Sequence, residues 1–173
     1  MSLPEDADAP LETMWAGKYV SVQRRGRWEF AGRTRGIRAA VILAEDAGRV
    51  LLVEQYRVPL GGPCLELPAG LIGDESDGES VELAAARELE EETGYRPERI
   101  EVLGDFHASP GMLSESFTLV RAHGLTKVGA GGGVGGENIT VHLVPRADMV
   151  AFIAQRRAAG VAMDVKLLAL LDF

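Results

Sequence analysis

The sequence predicts an α+β fold, a mixed sheet flanked by helices. Short apolar runs of strand length occur in both halves of the chain. One segment rich in strong helix formers, residues 79–93, breaks their succession, and a second helical pattern lies near 146–157. The order of these elements shows no regular βαβ repeat, which argues against a doubly wound parallel sheet.

Taken in order, the first ten residues, with Pro4, Pro10 and scattered acids, read as a mobile tail. Tyr19, Val20, Val22, Trp28 and Phe30 predict two strands around the turn Arg24-Arg25-Gly26-Arg27, an N-terminal hairpin. Strands follow at 37–43 and 50–55, separated by Asp46-Ala47-Gly48-Arg49, and a short one at 64–67. The helix from Glu79 to Thr93 has Ser80 near its start, Ala84, Ala85, Ala86 and Leu89 inside, and Gly94 at its end. Val81, Ala85 and Leu89, four apart, are expected to face the core. Strands at 100–106, 116–121 and 139–144, a helix at 146–157 and a last helix at 163–171 complete the pattern. The Gly-rich stretch 128–136 reads as a flexible connection. It leads into Glu137, so it is also a candidate for a loop that closes one carboxylate over a bound substrate.

A chain of 173 residues, 46% of them hydrophobic, suffices for one domain with a full core. The formal charge of −8 and a pI near 4.9 exclude broad electrostatic attraction to nucleic acid or to an anionic membrane. A single cysteine, Cys64, excludes an internal disulfide and fits a reducing compartment; it is expected to be a small buried apolar group. Glu5, Asp6 and Asp8 precede any hydrophobic pattern, and no apolar run has membrane-spanning length. The expectation is a soluble, cytoplasmic protein. His107, His123 and His142 are too dispersed to form a ligand cluster.

The helix at 79–93 carries the chemistry. Glu88, Glu91 and Glu92 fall three and four positions apart on one side, where like charges repel unless a cation joins them. A hard divalent ion, Mg²⁺ above all, suits such a carboxylate set, because it takes oxygen ligands and works on phosphate-bearing substrates. The competing reading is a solvated acidic helix face. Leu67-Pro68-Ala69-Gly70 leading in, Glu79 eight residues before Arg87, and Thr93-Gly94 closing the segment favour the site.

With these residues the chain resembles the Nudix hydrolase family, whose signature is met by Gly73, Glu79, Arg87, Glu88, Leu89, Glu91, Glu92, Gly94 and Tyr95. Gly70 is read as the structural counterpart of the leading glycine, which makes residues 73–78 an enlarged loop. The resemblance implies an α/β/α sandwich over residues 37–173, with residues 1–36 as an N-terminal tail and hairpin extension. It implies that Glu88 and Glu92 bind Mg²⁺, with Mn²⁺ as an alternative, that Glu91 is a secondary ligand or holds water, and that the Ala69 carbonyl joins them. Arg87 is expected to fix the carboxylates by ion pairing.

The segments Glu54-Gln55-Tyr56-Arg57-Val58-Pro59 and Ser109-Pro110-Gly111, the latter with Pro110 sixteen positions after Gly94, resemble the ADP-ribose pyrophosphatase subgroup. That resemblance implies a nucleoside diphosphate sugar as substrate, with Arg57 on its diphosphate, where a guanidinium fork suits the anion. It also implies Trp28 and Tyr19 stacking on an adenine, Glu29 on the base edge, Arg33 on a phosphate or ribose, and a homodimer to which the hairpin contributes. For the general base the resemblance offers Glu137, with Glu115 as the rival. The alternatives left open are a hydrolase of another sugar nucleotide such as GDP-mannose, and a catalytically silent ADP-ribose-binding module. The intact Arg87, Glu88, Glu91 and Glu92 argue against the silent module.

Overall fold

The computed structural model describes residues 2–34, 38–73 and 78–170. Its first strands, β1 (Leu11–Ala16), β2 (Val20–Arg25) and β3 (Trp28–Arg33), form an antiparallel sheet of their own. The expected hairpin is β2 and β3; β1 is an addition. All six of its residues are exposed, so it lacks the alternation that marks a half-buried strand, and a bulge between Thr13 and Trp15 shifts its register. The expected mobile tail turns back onto the hairpin tip, where Asp6 accepts a hydrogen bond from the Arg27 amide and Ala7 O accepts one from Arg25.

The large sheet is built from β4 (Arg38–Asp46), β5 (Arg49–Arg57), β6 (Gly62–Glu66), β7 (Ala69–Ile72), β9 (Arg99–Phe106), β10 (Phe117–His123), β12 (Thr140–Pro145) and β13 (Ala162–Met163). Its main path runs β13-β6-β5-β4-β10-β9, with β7 also against β4 and β12 also against β5. The β10–β4 and β13–β6 pairs are parallel and the others antiparallel, the mixed sheet expected. Two short strands, β8 (Tyr95–Arg96) and β11 (Thr126–Lys127), pair separately. Between β4 and β5 the chain reverses through Ala47 (φ 49°) and Gly48 (φ 74°), and positive φ at both central residues is what a two-residue hairpin turn demands.

Alternation along β4 divides the core in two. Ala40, Ile42 and Ala44 pack with Ala85 and Leu89 of helix α1 (Val81–Thr93), while Val41 packs on the other face with Leu52, Leu65, Leu67, Leu119 and Met149 of helix α2 (Met149–Ala158). Helices on both sides of the strands give the α+β sandwich. As expected, Val81, Ala85 and Leu89 form the inward stripe of α1. Ser80 caps it by accepting the Leu83 amide, and Gly94 ends it at φ 73°.

One predicted helix is corrected. Residues 162–163 form β13, and only a 3-10 helix follows over Val165–Leu170. Asp164 donates its amide to Leu65 O (3.0 Å) and accepts the Lys166 amide at 2.7 Å, a local turn that competes with a regular helical start. The expected strand start at Ile37, the helix end at Leu171 and most of the enlarged loop, 74–77, lie outside the described residues. No helix among the described residues is long and apolar enough to cross a membrane.

Candidate active site

Helix α1 projects two groups of polar side chains. In one, Arg87 gathers the carboxylates: it approaches Glu79 Oε1 at 3.3 Å, Glu88 Oε1 at 2.9 Å and Glu91 Oε2 at 3.5 Å, and donates to Leu71 O at 3.5 Å. Burial opposes the charge on Arg87, but the hydrogen bond it donates to Glu79 and the charges of Glu88 and Glu79 outweigh that and hold its pKa above the ordinary arginine value. The Gly73 amide donates to Glu79 at 3.3 Å, which ties the leading loop to the same nest.

Glu92 lies apart from this nest, 7% exposed, and accepts the Ala69 amide at 3.0 Å. Burial pushes its pKa up to about 8; the Ala69 hydrogen bond opposes the shift, the charges of Glu88 and Glu137 add to it, and Arg57 lowers it. Between Glu88 and β7 there is no spare room. A Cβ built on Gly70 would stand 1.9 Å from Glu88 Cδ, so the strand passes the carboxylate only because residue 70 has no side chain.

A cleft of about 580 Å³ opens over these groups and is lined by Ala69, Gly70, Glu88 and Glu92. From β5 and β6 it receives Arg57 and Glu66. Arg57 donates Nε to Glu66 Oε1 at 2.6 Å and a terminal nitrogen to Oε2 at 2.9 Å, and this fork holds its pKa above the ordinary value although burial opposes it. From β3 and the loop before β10 come Arg33 and Glu115, paired at 2.7 Å. Backbone hydrogen bonds fasten these two segments, from Ala31 N to Met112 O and from Ser114 N to Ala31 O, both 2.9 Å.

Glu137 completes the cleft, and the reason it reaches there is local. The Gly-rich stretch read as a flexible connection is laid across the C-terminal end of α1. Gly132 N donates to Glu92 O (2.8 Å), Gly133 N to Glu91 O (3.0 Å) and Val128 N to Gly94 O (2.8 Å), so the loop satisfies carbonyls that the helix leaves without partners. Glycine is needed for this approach, since a Cβ on Gly131 would lie 2.4 Å from the Thr93 carbonyl carbon. Beyond it, Glu137 accepts the Val134 amide at 2.9 Å and Gln55 Nε2 donates to its backbone carbonyl at 3.3 Å.

A NUDIX-domain family profile matches residues 34–161, most of the chain. The chain belongs to the NUDIX family. An ADP-ribose pyrophosphatase of Mycobacterium tuberculosis is 41% identical over 90 residues, 52% of this chain and 42% of that one. A GDP-mannose pyrophosphatase of Yersinia pestis is 34% identical over 132 residues, 71% of this chain and 65% of that one. Against the first four curated relatives the matched segments span 28–46% of the relative's own length. A crystal structure of an ADP compounds hydrolase superposes with a TM-score of 0.66 at 21% identity, over 87% of this chain and 92% of that one, and so shares the fold.

In this NUDIX chain the cleft brings together Arg33, Arg57, Ala69, Glu88, Glu92, Glu115 and Glu137 of the residues singled out from sequence. Arg87 and Glu91 sit in the adjoining nest. Tyr19 and Trp28 are 64% and 52% exposed on the hairpin, and neither they nor Glu29, Pro110 or Gly111 line the cleft. Sequence reasoning passed over Glu66, Gln55 and Lys166, which do. Glu66 had an available signal, an acidic residue between two leucines in an apolar strand, Leu65-Glu66-Leu67. Cys64 is buried with its thiol pushed up to about 11, chiefly by burial and then by the charge of Glu66, and is no nucleophile.

The donors fit the divalent cation that NUDIX hydrolases require. Glu92 is a buried carboxylate whose side chain has one hydrogen bond among the described residues, and its nearest charges include those of Glu88 and Glu137, so a hard cation would compensate an arrangement that is costly without one. With the side chains as they stand, no three His, Cys, Asp or Glu residues among the described ones form a group that could hold an ion.

Proposed function

We propose that this NUDIX chain hydrolyses the diphosphate bond of ADP-ribose to AMP and ribose 5-phosphate, with Mg²⁺ as the ion and Mn²⁺ as a substitute. The observation that carries the reading is a single cleft in which the carboxylates of α1 face a carboxylate-held guanidinium, Arg57, and a separate carboxylate, Glu137. Glu88, Glu92 and the Ala69 carbonyl would hold the ion, with Glu91 behind them; bound there, it neutralises phosphate charge and makes water nucleophilic. Arg57 binds the diphosphate, and its orientation is fixed by Glu66 before substrate arrives. Glu137 takes the proton as the water oxygen bonds to one phosphorus and the bridging P–O bond breaks. Glu115 is committed to Arg33, which suits it to positioning rather than to proton abstraction.

The N-terminal sheet supports a dimer. Leu11, Trp15, Tyr19, Val20 and Trp28 are exposed on it, and a three-stranded sheet with so much uncovered apolar surface gains from a second subunit. In the homodimer we propose, Tyr19 and Trp28 stack on the adenine, with Glu29 at the base edge, and Pro110 and Gly111 also bind the substrate. Residues 1–36 then serve as the dimerisation element of a cytoplasmic enzyme whose catalytic domain is residues 37–173.

Two readings of the substrate are separable. The match to a GDP-mannose pyrophosphatase runs over more of this chain than the match to the mycobacterial ADP-ribose pyrophosphatase, which keeps GDP-mannose in view. Phosphate-ester products measured with ADP-ribose, GDP-mannose and NADH in Mg²⁺ decide between them. ADP-ribose is expected to be cleaved with the highest kcat/KM, and Glu92→Gln is expected to abolish turnover. Preference for GDP-mannose would replace the substrate, and tight ADP-ribose binding with no turnover on any compound would mean a binding module.

A further inference from the structure

Lys166, from the C-terminal part of the fold, lines both the cleft and an adjoining cavity of about 740 Å³, and its place between them is built rather than incidental. β13 runs parallel to β6, and the Asp164 amide donates to Leu65 O at 3.0 Å, so Asp164 is registered against the strand that ends in Glu66. Asp164 Oδ1 accepts the Lys166 amide at 2.7 Å and Oδ2 pairs with the Lys166 ammonium. The ammonium also stands 5.9 Å from the centroid of the Phe117 ring, another wall of the cleft. Lysines ordinarily lay their stems on the protein and keep the charged end in water. This side chain is only 19% exposed.

An ammonium has three N–H donors, and Asp164 is its only hydrogen-bonding partner among the described residues. The other two cations of the cleft share that arrangement. Arg57 gives two nitrogens to Glu66, and Arg33 gives Nε to Glu115. Among the described residues each positive group is thus aimed by one carboxylate and keeps further donors unused, as a preorganised receptor for an anion requires.

We infer that Lys166, positioned by Asp164, is a third anion-binding residue of the cleft and donates to non-bridging oxygens of the substrate's diphosphate. The inference rests on the diphosphate-hydrolase reading above. Because the ammonium is in place before bond breaking and is not aimed at a particular developing charge, its contribution is to binding in ground and transition states alike. It therefore sets KM more than kcat.

The test compares Lys166→Met, which keeps the stem over Phe117, and Lys166→Arg with the unsubstituted protein, by steady-state kinetics with Mg²⁺ and by calorimetric binding of ADP-ribose. Losing one charge-assisted contact is expected to raise KM and Kd about tenfold in the Met variant, with kcat changed less than about threefold. The Arg variant is expected to recover most of the affinity, and the salt dependence of Kd is expected to weaken in the Met variant alone. Unchanged Kd in Lys166→Met would overturn the assignment. So would equal losses in both variants accompanied by a lowered unfolding midpoint, which would make Lys166 a structural tie. If the unsubstituted protein binds ADP-ribose without cleaving it or GDP-mannose, the hydrolase reading fails while the calorimetric comparison still decides on Lys166; if it binds neither compound, both fail.

Discussion

Gly70→Ala separates what the fold needs from what the site needs. A Cβ at position 70 would stand 1.9 Å from Glu88 Cδ and 2.4 Å from Oε1, so to reach ordinary contact at about 3.4 Å the carboxyl group must retreat by about 1.5 Å. The backbone offers no resistance of its own: Gly70 is not among the glycines at positive φ and lies in β7, where alanine is tolerated. The obstacle is the Glu88 side chain from Cγ outward, with Cγ at 2.1 Å, so Glu88 must leave its rotamer, at a stability cost of about 1–3 kcal/mol, the range for overpacking. Catalytic groups tolerate far less, since a displacement near 1 Å commonly costs about 100-fold in rate. The expected result is a protein that unfolds in urea with nearly unchanged cooperativity, a slightly lower midpoint, and kcat reduced about 100-fold or more, with weakened Mg²⁺ dependence. Full activity in Gly70→Ala would show that Glu88 does not act from its place beside β7 and would remove it from the proposed ligand set.

Four other outcomes follow from the same geometry. Glu137→Gln is expected to lower kcat by about 100-fold or more with little change in KM, and Glu115→Gln by tenfold or less, measured as initial rates over a range of ADP-ribose concentrations up to saturation; the reverse order would make Glu115 the base. Glu92 has a folded-state pKa near 8 against an ordinary 4.5, so in the chelator-treated protein the folded state holds the proton more tightly, and stability falls as pH rises between those values. The difference in urea stability between the unsubstituted protein and Glu92→Gln should change by about 3 kcal/mol from pH 5.5 to pH 8, and saturating Mg²⁺ should flatten it. Arg57→Lys breaks the two-nitrogen fork to a carboxylate only 6% exposed and is expected to raise KM about tenfold, read from initial rates across ADP-ribose concentrations. Leu89→Ala, at a fully buried position in the α1 core, is expected to cost about 2–5 kcal/mol by urea unfolding while leaving KM unchanged.

What could be read from the sequence, and what could not, divides by how far apart interacting residues lie in the chain. The cap at Ser80, the stripe Val81-Ala85-Leu89, the stop at Gly94 and the Arg87–Glu91 pair are all settled within a few residues, so α1 and its carboxylates were legible. β1 was not, because an exposed strand on a separate sheet leaves no alternation to detect. The Gly-rich stretch looked like a linker because composition shows backbone freedom but not a use for it; its glycines allow the approach by which the loop's amides meet the open end of α1.

The cations of the cleft make the same point about function. Arg33 could be named from resemblance, but the Glu115 that holds it is 82 residues away, and Arg57 depends on a glutamate nine residues on, across a strand pair whose register no local pattern reveals. Lys166 and Asp164 are only two residues apart, yet that pair matters only because β13 docks beside β6, in place of the helix the composition suggested. Sequence thus supplied the carboxylates of α1, whose geometry belongs to one helix. The basic half is assembled from β3, β5 and the segment after β13, each cation oriented by its own carboxylate. In a chain of net charge −8, that pairing lets positive groups stand ready for a diphosphate beside the acids of α1 without collapsing onto them.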